Sequence, residues 1–315
     1  MPDNVKSFSV GYNPINKSDH FTSGDFITGQ VTFELSKDCK IDSLCVKLKG
    51  KAQVKWRSRY RRQVRAYSDK HKYFSIKQFI IRKDRGNNVV SQGSHVYPFT
   101  VHIPVKDLPS SFKGSYGKIT YRLEANLSRS MRVDTKAKTK FTLLHKQSLN
   151  GDPLLMTPQQ STINKKMILC TSGTVGMDVN IERTGFYQGE SIKVMASIQN
   201  RSSREIKPKF CLYKKYSYFA KEKRRVETKD ILKEEGEVIP PSAGQTVTRI
   251  ITIPPTTHAS ILNCNIIKAE YRLKVYLDVK YARDPVIKFP IVILPALQEP
   301  DNEEHPSAFT SSMFG

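Results

Sequence analysis

Basic side chains recur at alternate positions in one short segment of the chain. Residues 55–73, KWRSRYRRQVRAYSDKHKY, hold eight Lys or Arg and one Asp. A β-strand would place the alternating cations from Lys55 to Arg61 on one face, at intervals of about 6–7 Å. Guanidinium groups can bind phosphate or carboxylate through two N–H donors at once. The pattern therefore predicts a cationic strand face, whose candidate anion-binding residues are Lys55, Arg57, Arg59, Arg61, Arg62 and Arg65.

Three interpretations of this segment are open. It could bind phosphorylated protein segments or acidic lipid, or it could be a solvated hairpin whose charges prevent edge-to-edge pairing. Nucleic acid is disfavoured, because Trp56 and Tyr60 alternate to the side opposite the charges, whereas base stacking needs rings beside the cations.

A second basic cluster, from Lys221 to Arg225, is interspersed with acidic residues and is interpreted as a mixed solvated surface.

The composition narrows the classes of protein. The net charge of +23 and the pI near 9.8 favour polyanionic partners, and 38% hydrophobic residues are enough for a core. Five scattered cysteines without a Cys-x-x-Cys pair indicate reduced thiols rather than a disulfide framework or a zinc site. We find no apolar leader, and the most apolar run, FPIVILPALQ, is short and broken by two prolines. A cytoplasmic protein is expected.

Catalytic motifs are missing from the sequence. It has no Gly-x-Ser-x-Gly, no phosphate-binding Gly-rich loop and no His-Glu-x-x-His, and its seven histidines are isolated. We therefore predict no catalytic residue, no cofactor and no metal ligand, and expect a protein that is not an enzyme.

Apolar residues alternate with polar ones along most of the chain, which is typical of an all-β protein. The clearest examples are Ile119–Leu127, Val175–Ile181, Ile192–Ile198 and Tyr271–Val279. Lys- and Glu-rich residues 219–235 have a composition compatible with a helix, but their apolar residues do not keep helical spacing.

The two halves of the chain resemble each other. SGDFITGQVTF at 23 matches QGESIKVMASI at 188 with an offset of 165, while the IP and YRL pairs recur with an offset of 150. Two copies of one domain are therefore predicted, and the first copy carries extra residues where the basic segment lies. Such residues are usually accommodated as a surface excursion, so we expect an extended hairpin outside the core. The predicted boundaries are a domain at 1–146, a linker at 147–166, a domain at 167–297 and a polar tail at 298–315.

Two tandem β-sandwiches with these segments resemble the arrestin fold, and in particular its α-arrestin branch, the arrestin domain-containing proteins. The resemblance covers about residues 5–297 and rests on the order and spacing of eight segments. They are SGDFITGQV, LKGKAQVKW, YPFTVHIP, LPSSFKGSYGKITYRLEANL, CTSG, IERTGFYQGESIKVMASIQNRSSREIKPK, ILNCNIIKAEYRLKVYLDV and FPIVIL.

The resemblance implies an all-β pair of immunoglobulin-like sandwiches that acts as a non-enzymatic adaptor. Arrestins bind cytoplasmic segments of membrane receptors or transporters and link them to endocytic or ubiquitination machinery, which implies recruitment to the plasma membrane or endosomes. The alternative hypothesis is a basic scaffold whose main ligand is anionic lipid or nucleic acid.

This sequence departs from the family in two places. Many α-arrestins recruit ubiquitin ligases through Pro-Pro-x-Tyr motifs, but the Pro-Pro pairs here, at 240 and 254, lack the tyrosine, which puts a direct ligase link in doubt. The thioredoxin-binding branch uses a cysteine that has no counterpart in EGEVIPPSAGQTV. Cys264 matches a common family position and is predicted to be a buried structural thiol in a core strand.

A second candidate contact lies near the N-terminus. VKSFSVGYN is expected to form an edge strand, to which an extended partner segment could add. Lys17, in the loop that follows, would then contact anionic side chains; a closed edge with a solvated lysine is the equal alternative.

Overall fold

The structure is a computed structural model that describes residues 4–60, 63–82, 88–167, 173–280 and 282–296, with Tyr60 described by its backbone. Its regular elements are almost all β-strands. The first domain contains β1 (Val5–Tyr12), β2 (His20–Phe21), β3 (Phe26–Leu35), β4 (Cys39–Lys40), β5 (Ser43–Tyr60), β6 (Gln63–Ile81), β7 (Val89–Val90), β8 (Gly93–His102), β9 (Phe112–Lys113), β10 (Gly117–Ser128) and β11 (Thr135–Leu143).

The first domain is a sandwich of two main sheets. One has the strand order β1-β3-β8, and the other has the order β2-β11-β10-β5-β6, with β9 paired to β10. We call the second one the large sheet. A short pair, β4 and β7, completes the domain. The core between the sheets is formed by the inward-facing residues of the central strands, as in β10, where Ile119, Tyr121 and Leu123 are buried.

The second domain repeats this architecture. Its sheets have the orders β12-β13-β15-β18 and β14-β20-β19-β16-β17. The strands are β12 (Gln159–Lys166), β13 (Gly173–Ile181), β14 (Gly185–Tyr187), β15 (Ser191–Ser202), β16 (Ile206–Ala220), β17 (Lys223–Glu235), β18 (Ala243–Thr252), β19 (Ile267–Val279) and β20 (Val286–Leu294). The all-β prediction of two tandem sandwiches is confirmed, and residues 223–235 form a strand, which agrees with the lack of helical spacing among their apolar residues.

The internal repeat extends to individual hydrogen bonds. Asp25 accepts a bond from the backbone N–H of Thr22 at 2.6 Å, and its counterpart Glu190 accepts one from the N–H of Tyr187 at 2.7 Å. The preceding glycines, Gly24 and Gly189, have φ values of +92° and +84°, which L residues rarely adopt. The same tight turn therefore precedes β3 in the first sandwich and its counterpart β15 in the second.

The tyrosine of each Tyr-Arg-Leu segment is buried and hydrogen-bonded. Tyr121 donates its hydroxyl to the carbonyl of Pro109 at 2.7 Å, and Tyr271 donates to the carbonyl of His258 at 2.6 Å. Burial raises the pKa of both phenols. Each ring therefore fills the core while its hydroxyl fastens a loop across the end of the sandwich.

Residues 147–166, which the sequence predicts to be a linker, contain regular secondary structure. Two short 3₁₀ helices, Leu149–Gly151 and Pro153–Met156, are followed by β12, which pairs antiparallel with β13 at the edge of the second domain. Its sequence, QQSTINKK, has one apolar residue, so an apolar pattern does not identify it as a strand. Backbone hydrogen bonds to β13 define this edge strand instead.

Four cysteines of the described residues are free and buried: Cys39, Cys45, Cys211 and Cys264. Cys170 lies outside the described residues. Cys264 is fully buried, as predicted, but it precedes β19 in a loop rather than lying within a core strand.

The two domains contact each other through aromatic side chains. Phe112 packs edge-on against Tyr216 with ring centroids 5.3 Å apart, and Tyr116 packs edge-on against Tyr218 at 5.7 Å. This interface lies at the end of the first domain from which the β5–β6 hairpin extends.

Candidate anion-binding face

The basic segment forms part of a long hairpin. β5 has 18 residues and β6 has 19, compared with 15 and 13 in the equivalent strands β16 and β17. Lys55, Arg57 and Arg59 are exposed on one side of β5, so the predicted alternation is present. The expectation that the hairpin lies outside the core is wrong in part, because Val54 and Trp56 on its other side are buried. Trp56 stacks on Tyr67 of β6, with ring centroids 5.5 Å apart.

Not every candidate residue belongs to this side of the hairpin. Residues directly opposite in an antiparallel pair share a face, and Arg65 is opposite Ser58, next to the Trp56–Tyr67 pair. Arg65 therefore lies on the side opposite Arg57. Arg61 and Arg62 lie outside the described residues.

Lys17 does not join these cations. It is exposed in the turn before β2, and β2 is at the edge of the large sheet opposite to β6. The structure therefore separates the two candidate sites that the sequence predicts.

The cationic surface is larger than the sequence analysis predicted. Strand register places basic residues of four neighbouring strands, β11, β10, β5 and β6, on the outward face of the large sheet. We call this surface the cationic face; its basic residues are Lys136, Lys138 and Lys140 of β11, Lys118 and Arg122 of β10, Lys47, Lys49, Lys51, Lys55, Arg57 and Arg59 of β5, and Lys70, Lys72 and Lys77 of β6. In the sequence, alternating lysines in VKLKGK and TKAKTK could have identified the β5 and β11 members of this face. That these lysines lie on the same face follows only from the register of the strands.

Among the described residues of the four strands of this face, Glu124 is the one outward-facing acidic side chain, and Asp134, directly before β11, accepts a bond at 3.0 Å from the side chain of Asn126 on the same face. The carboxylate of Glu124 accepts a bond from Lys49 Nζ at 3.0 Å and lies 3.2 Å from Arg122 Nη2, while its side chain is 7% exposed. Burial alone would raise the pKa of Glu124, but the hydrogen bond from Lys49 and the charges of Lys49 and Arg122 outweigh burial and lower it. Glu124 thus pairs directly with two of the cations, and the charge of Lys138 also lowers its pKa.

Several of these cations, including the two paired with Glu124, surround a shallow cavity. A cavity of about 240 Å³ is lined by Lys49, Lys51, Lys70, Lys72 and Arg122, with Gly50 and Phe74 also in its wall. Burial lowers the pKa of Lys51, and the charges of Arg122 and Lys70 lower it further. A bound anion would relieve this repulsion, so the geometry and the charge favour phosphate or carboxylate groups here.

Replacing Glu124 by glutamine should destabilise the first domain by about 1–2 kcal/mol at neutral pH, because two partly buried cations lose their counter-charge. The pKa of Glu124 is lowered in the folded protein, so its contribution is present above the ordinary glutamate pKa and is lost as the pH falls through the folded-state value. Chemical denaturation of the wild type and Glu124→Gln at pH 7 and in the acid range measures this. A difference in stability that does not shrink in acid would contradict the assigned ion pairs.

The hairpin also contacts the second domain. Arg225, in the second basic cluster, donates to the hydroxyl of Tyr116 at 2.7 Å and to the carbonyl of Arg57 at 3.4 Å. Arg224 donates to buried Ser217 at 2.8 Å. The interpretation of this cluster as a mixed solvated surface is therefore wrong for Arg225, which is half-buried and joins the domains beside the hairpin, whereas Arg224 is exposed as that interpretation expects.

The predicted N-terminal edge strand is present. β1 pairs on one side with β3, and among the described residues its other side has no strand partner. This arrangement leaves both predicted alternatives open, namely an edge to which a partner segment adds and a closed edge.

Comparison with known proteins identifies both domains. The family model of the arrestin (or S-antigen) N-terminal domain matches residues 8–150, and that of the arrestin C-terminal domain matches residues 171–297. Arrestin domain-containing protein 4 of Mus musculus is 30% identical over 303 residues, which is 92% of this chain and 72% of the mouse protein. The human protein of the same name is also 30% identical, and thioredoxin-interacting protein of Rattus norvegicus is 28% identical, with 74% of its length covered.

The tandem sandwiches and the two domain matches define a protein of the arrestin fold. The chain belongs to the arrestin family, in its α-arrestin branch. Within the described residues, no helix is long and apolar enough to cross a bilayer. The same residues contain no group of three or more His, Cys, Asp or Glu side chains placed to hold a metal ion.

Proposed function

We propose that the protein is a cytoplasmic, non-enzymatic adaptor that binds acidic or phosphorylated cytoplasmic segments of membrane receptors or transporters and promotes their endocytic trafficking, sorting or ubiquitination. The observation that carries the proposal is the row of Lys55, Arg57 and Arg59, exposed along one side of a hairpin in a protein of the arrestin family. Side chains two residues apart on a strand recur every 6–7 Å or so, as do those of an extended partner segment. Successive anionic side chains can therefore meet successive cations.

The hairpin suits this role because its opposite side is anchored. Trp56 is buried, and the carbonyl of Arg57 accepts a bond from Arg225 of the second domain. These contacts hold the strand backbone, so binding orders mainly the exposed side chains and loses less conformational entropy. The given sequence has no Pro-Pro-x-Tyr, so the proposed link to a ubiquitin ligase does not rest on that motif.

Binding to receptor-tail peptides tests the cargo contact. A fluorescent tail peptide is titrated with the intact protein in phosphorylated form, in unphosphorylated form and as a scrambled sequence of equal charge. Replacing Lys55, Arg57 and Arg59 together by serine should weaken binding at least tenfold, which corresponds to about 1.4 kcal/mol. Arg65→Ser is a control for position, since it removes one cation from the other side of the same hairpin, and Arg57→Ser alone is its partner with the same change in charge.

The proposal also predicts the neighbours of the protein in cells. Proximity labelling with the wild type should enrich membrane receptors and endocytic proteins, and the triple serine variant should lose them. Equal peptide affinity for the triple variant and Arg65→Ser would show that cargo binds elsewhere. Enrichment of nuclear or RNA-binding proteins by the wild type would overturn the adaptor function itself.

A second mode of cargo binding is favoured by β1. An extended cargo segment would pair with its unpaired edge, and Lys17 in the following turn would contact an acidic side chain of that segment. This mode predicts that a proline in place of one β1 residue facing the new strand reduces binding, whereas serine substitutions on the hairpin do not.

A further inference from the structure

The sandwich part of the cationic face, which is the face without Lys55, Arg57 and Arg59 of the hairpin, extends across the strands about as far as it extends along them. Exposed lysines lie on β6, β10 and β11, and half-buried lysines lie on β5 between them. Three inter-strand spacings make this area about 14 Å wide, and its lysines extend about as far along the strands. An extended peptide follows a single row of side chains, so it would neutralise only one strip of this area.

Apolar side chains lie at the end of the same sheet, away from the second domain. The turn between β10 and β11 carries Met131, which is fully exposed, and Val133, which is 89% exposed. Ser130 in this turn donates to both carboxylate oxygens of Asp42 at 2.9 Å, so the turn is fastened to the domain. Met131 has a φ of +59°, which is uncommon for a residue other than glycine. The turn therefore presents two apolar side chains to solvent in a defined conformation.

A third apolar group lies on the face itself, near that turn. Phe79 of β6 is 37% exposed and is opposite Cys45, whose other neighbour is Asn126 of β10. Lys77 Nζ lies 4.0 Å from the centre of its ring, and the guanidinium carbon of Arg82 lies 5.2 Å away. An aromatic ring held between cations is suited to the headgroup region of a bilayer, where apolar and charged groups meet.

We propose that the sandwich part of the cationic face, together with Met131 and Val133, is a docking surface for an anionic phospholipid bilayer. The lysines would contact lipid phosphates and anionic headgroups, while the two exposed side chains of the turn enter the boundary of the acyl chains. A headgroup phosphate would fit the cavity between Lys51, Lys72 and Arg122. This surface goes beyond the cargo contact proposed for the hairpin, because its ligand is the membrane itself.

Charge and shape together favour a bilayer over other polyanions. A bilayer offers negative charge over a plane, which matches cations spread over four strands. It also accommodates exposed apolar side chains beside those cations, whereas nucleic acid and acidic peptides would leave Met131 and Val133 in water. Stable but reversible membrane binding usually needs two weak attractions. Here these would be the electrostatic attraction of the lysines and the insertion of the apolar side chains.

Sedimentation of the intact protein with vesicles tests the proposal. We expect binding to phosphatidylcholine vesicles that contain about 30 mol % phosphatidylserine and little binding to phosphatidylcholine alone. Replacing Lys136, Lys138 and Lys140 by glutamine should weaken binding at least tenfold, since each lysine near an anionic surface contributes appreciably. Met131→Ser with Val133→Ser should weaken it severalfold, including at high salt, because this contribution is not electrostatic.

The matched control removes the same charge from the second domain. Lys193, Lys223 and Lys233 are exposed there, and their replacement by glutamine should leave vesicle affinity unchanged. Equal losses in the two triple variants would overturn the proposal, because net charge alone would then explain binding. Tighter binding of duplex DNA or an acidic peptide through the β11 lysines would also overturn it. The vesicles contain no protein, so this result is independent of the tail-peptide test of the hairpin.

Discussion

Replacing Asn200 by alanine is expected to destabilise the second domain by about 3–4 kcal/mol. The side chain of Asn200 is fully buried and makes five hydrogen bonds. Its two amide N–H groups are shared among the carbonyls of Arg204, Ile239 and Pro240, and its oxygen accepts from the N–H and hydroxyl of Ser202. Alanine would leave several of these groups without a partner, and each buried unsatisfied group costs about 1–3 kcal/mol.

Thermal unfolding measures this loss. A change of this size should lower the melting temperature of the second domain by about 10 °C. Because a two-domain protein can show more than one transition, the transition of the first domain is assigned with its tryptophan, Trp56, which is the single tryptophan of the sequence. Asn180→Ala, at an exposed position of β13, is the control and should change stability by less than about 0.5 kcal/mol. A melting curve of Asn200→Ala that coincides with that of the control would refute the role assigned to these hydrogen bonds.

Replacing Gly50 by alanine should destabilise the first domain by about 2–3 kcal/mol. Gly50 lies in the middle of β5, directly opposite Tyr121 of β10 and Phe74 of β6. A Cβ atom at this position would lie 2.7 Å from Cε1 of Tyr121 and 2.8 Å from Cε1 of Phe74. Both rings are buried, so neither can move away freely, and the extra methyl group overpacks the core beneath the cationic face.

Gly11→Ala is the matched control for this prediction. Gly11 is also in a strand, but a Cβ atom there would meet nothing within 4 Å. Alanine at position 11 should leave stability unchanged or raise it slightly, by restricting the unfolded chain. Denaturant unfolding of the two variants separates the crowding at position 50 from the general effect of losing a glycine. Equal stability of the two variants would mean that the rings accommodate the methyl group.

Much of the fold follows from local patterns in the sequence. Period-two alternation predicts the core strands, and it rejects a helix at 219–235 despite a composition rich in Lys and Glu. The repeat at offsets of 165 and 150 predicts two copies of one domain. By contrast, β12 carries hardly any apolar residues, so its place at a sheet edge depends on backbone pairing with β13, which no local pattern encodes.

The sequence by itself determined that Lys55, Arg57 and Arg59 share one side of a strand, because alternation is a property of a single extended segment. Tertiary structure alone decided which other cations join them. Register brings Lys72, Lys118 and Lys138 to the same face from three other strands and places Arg65 on the opposite face. Domain packing decided that Arg225 binds Tyr116 rather than solvent. The physical reason is that register and packing depend on contacts between residues far apart in the chain.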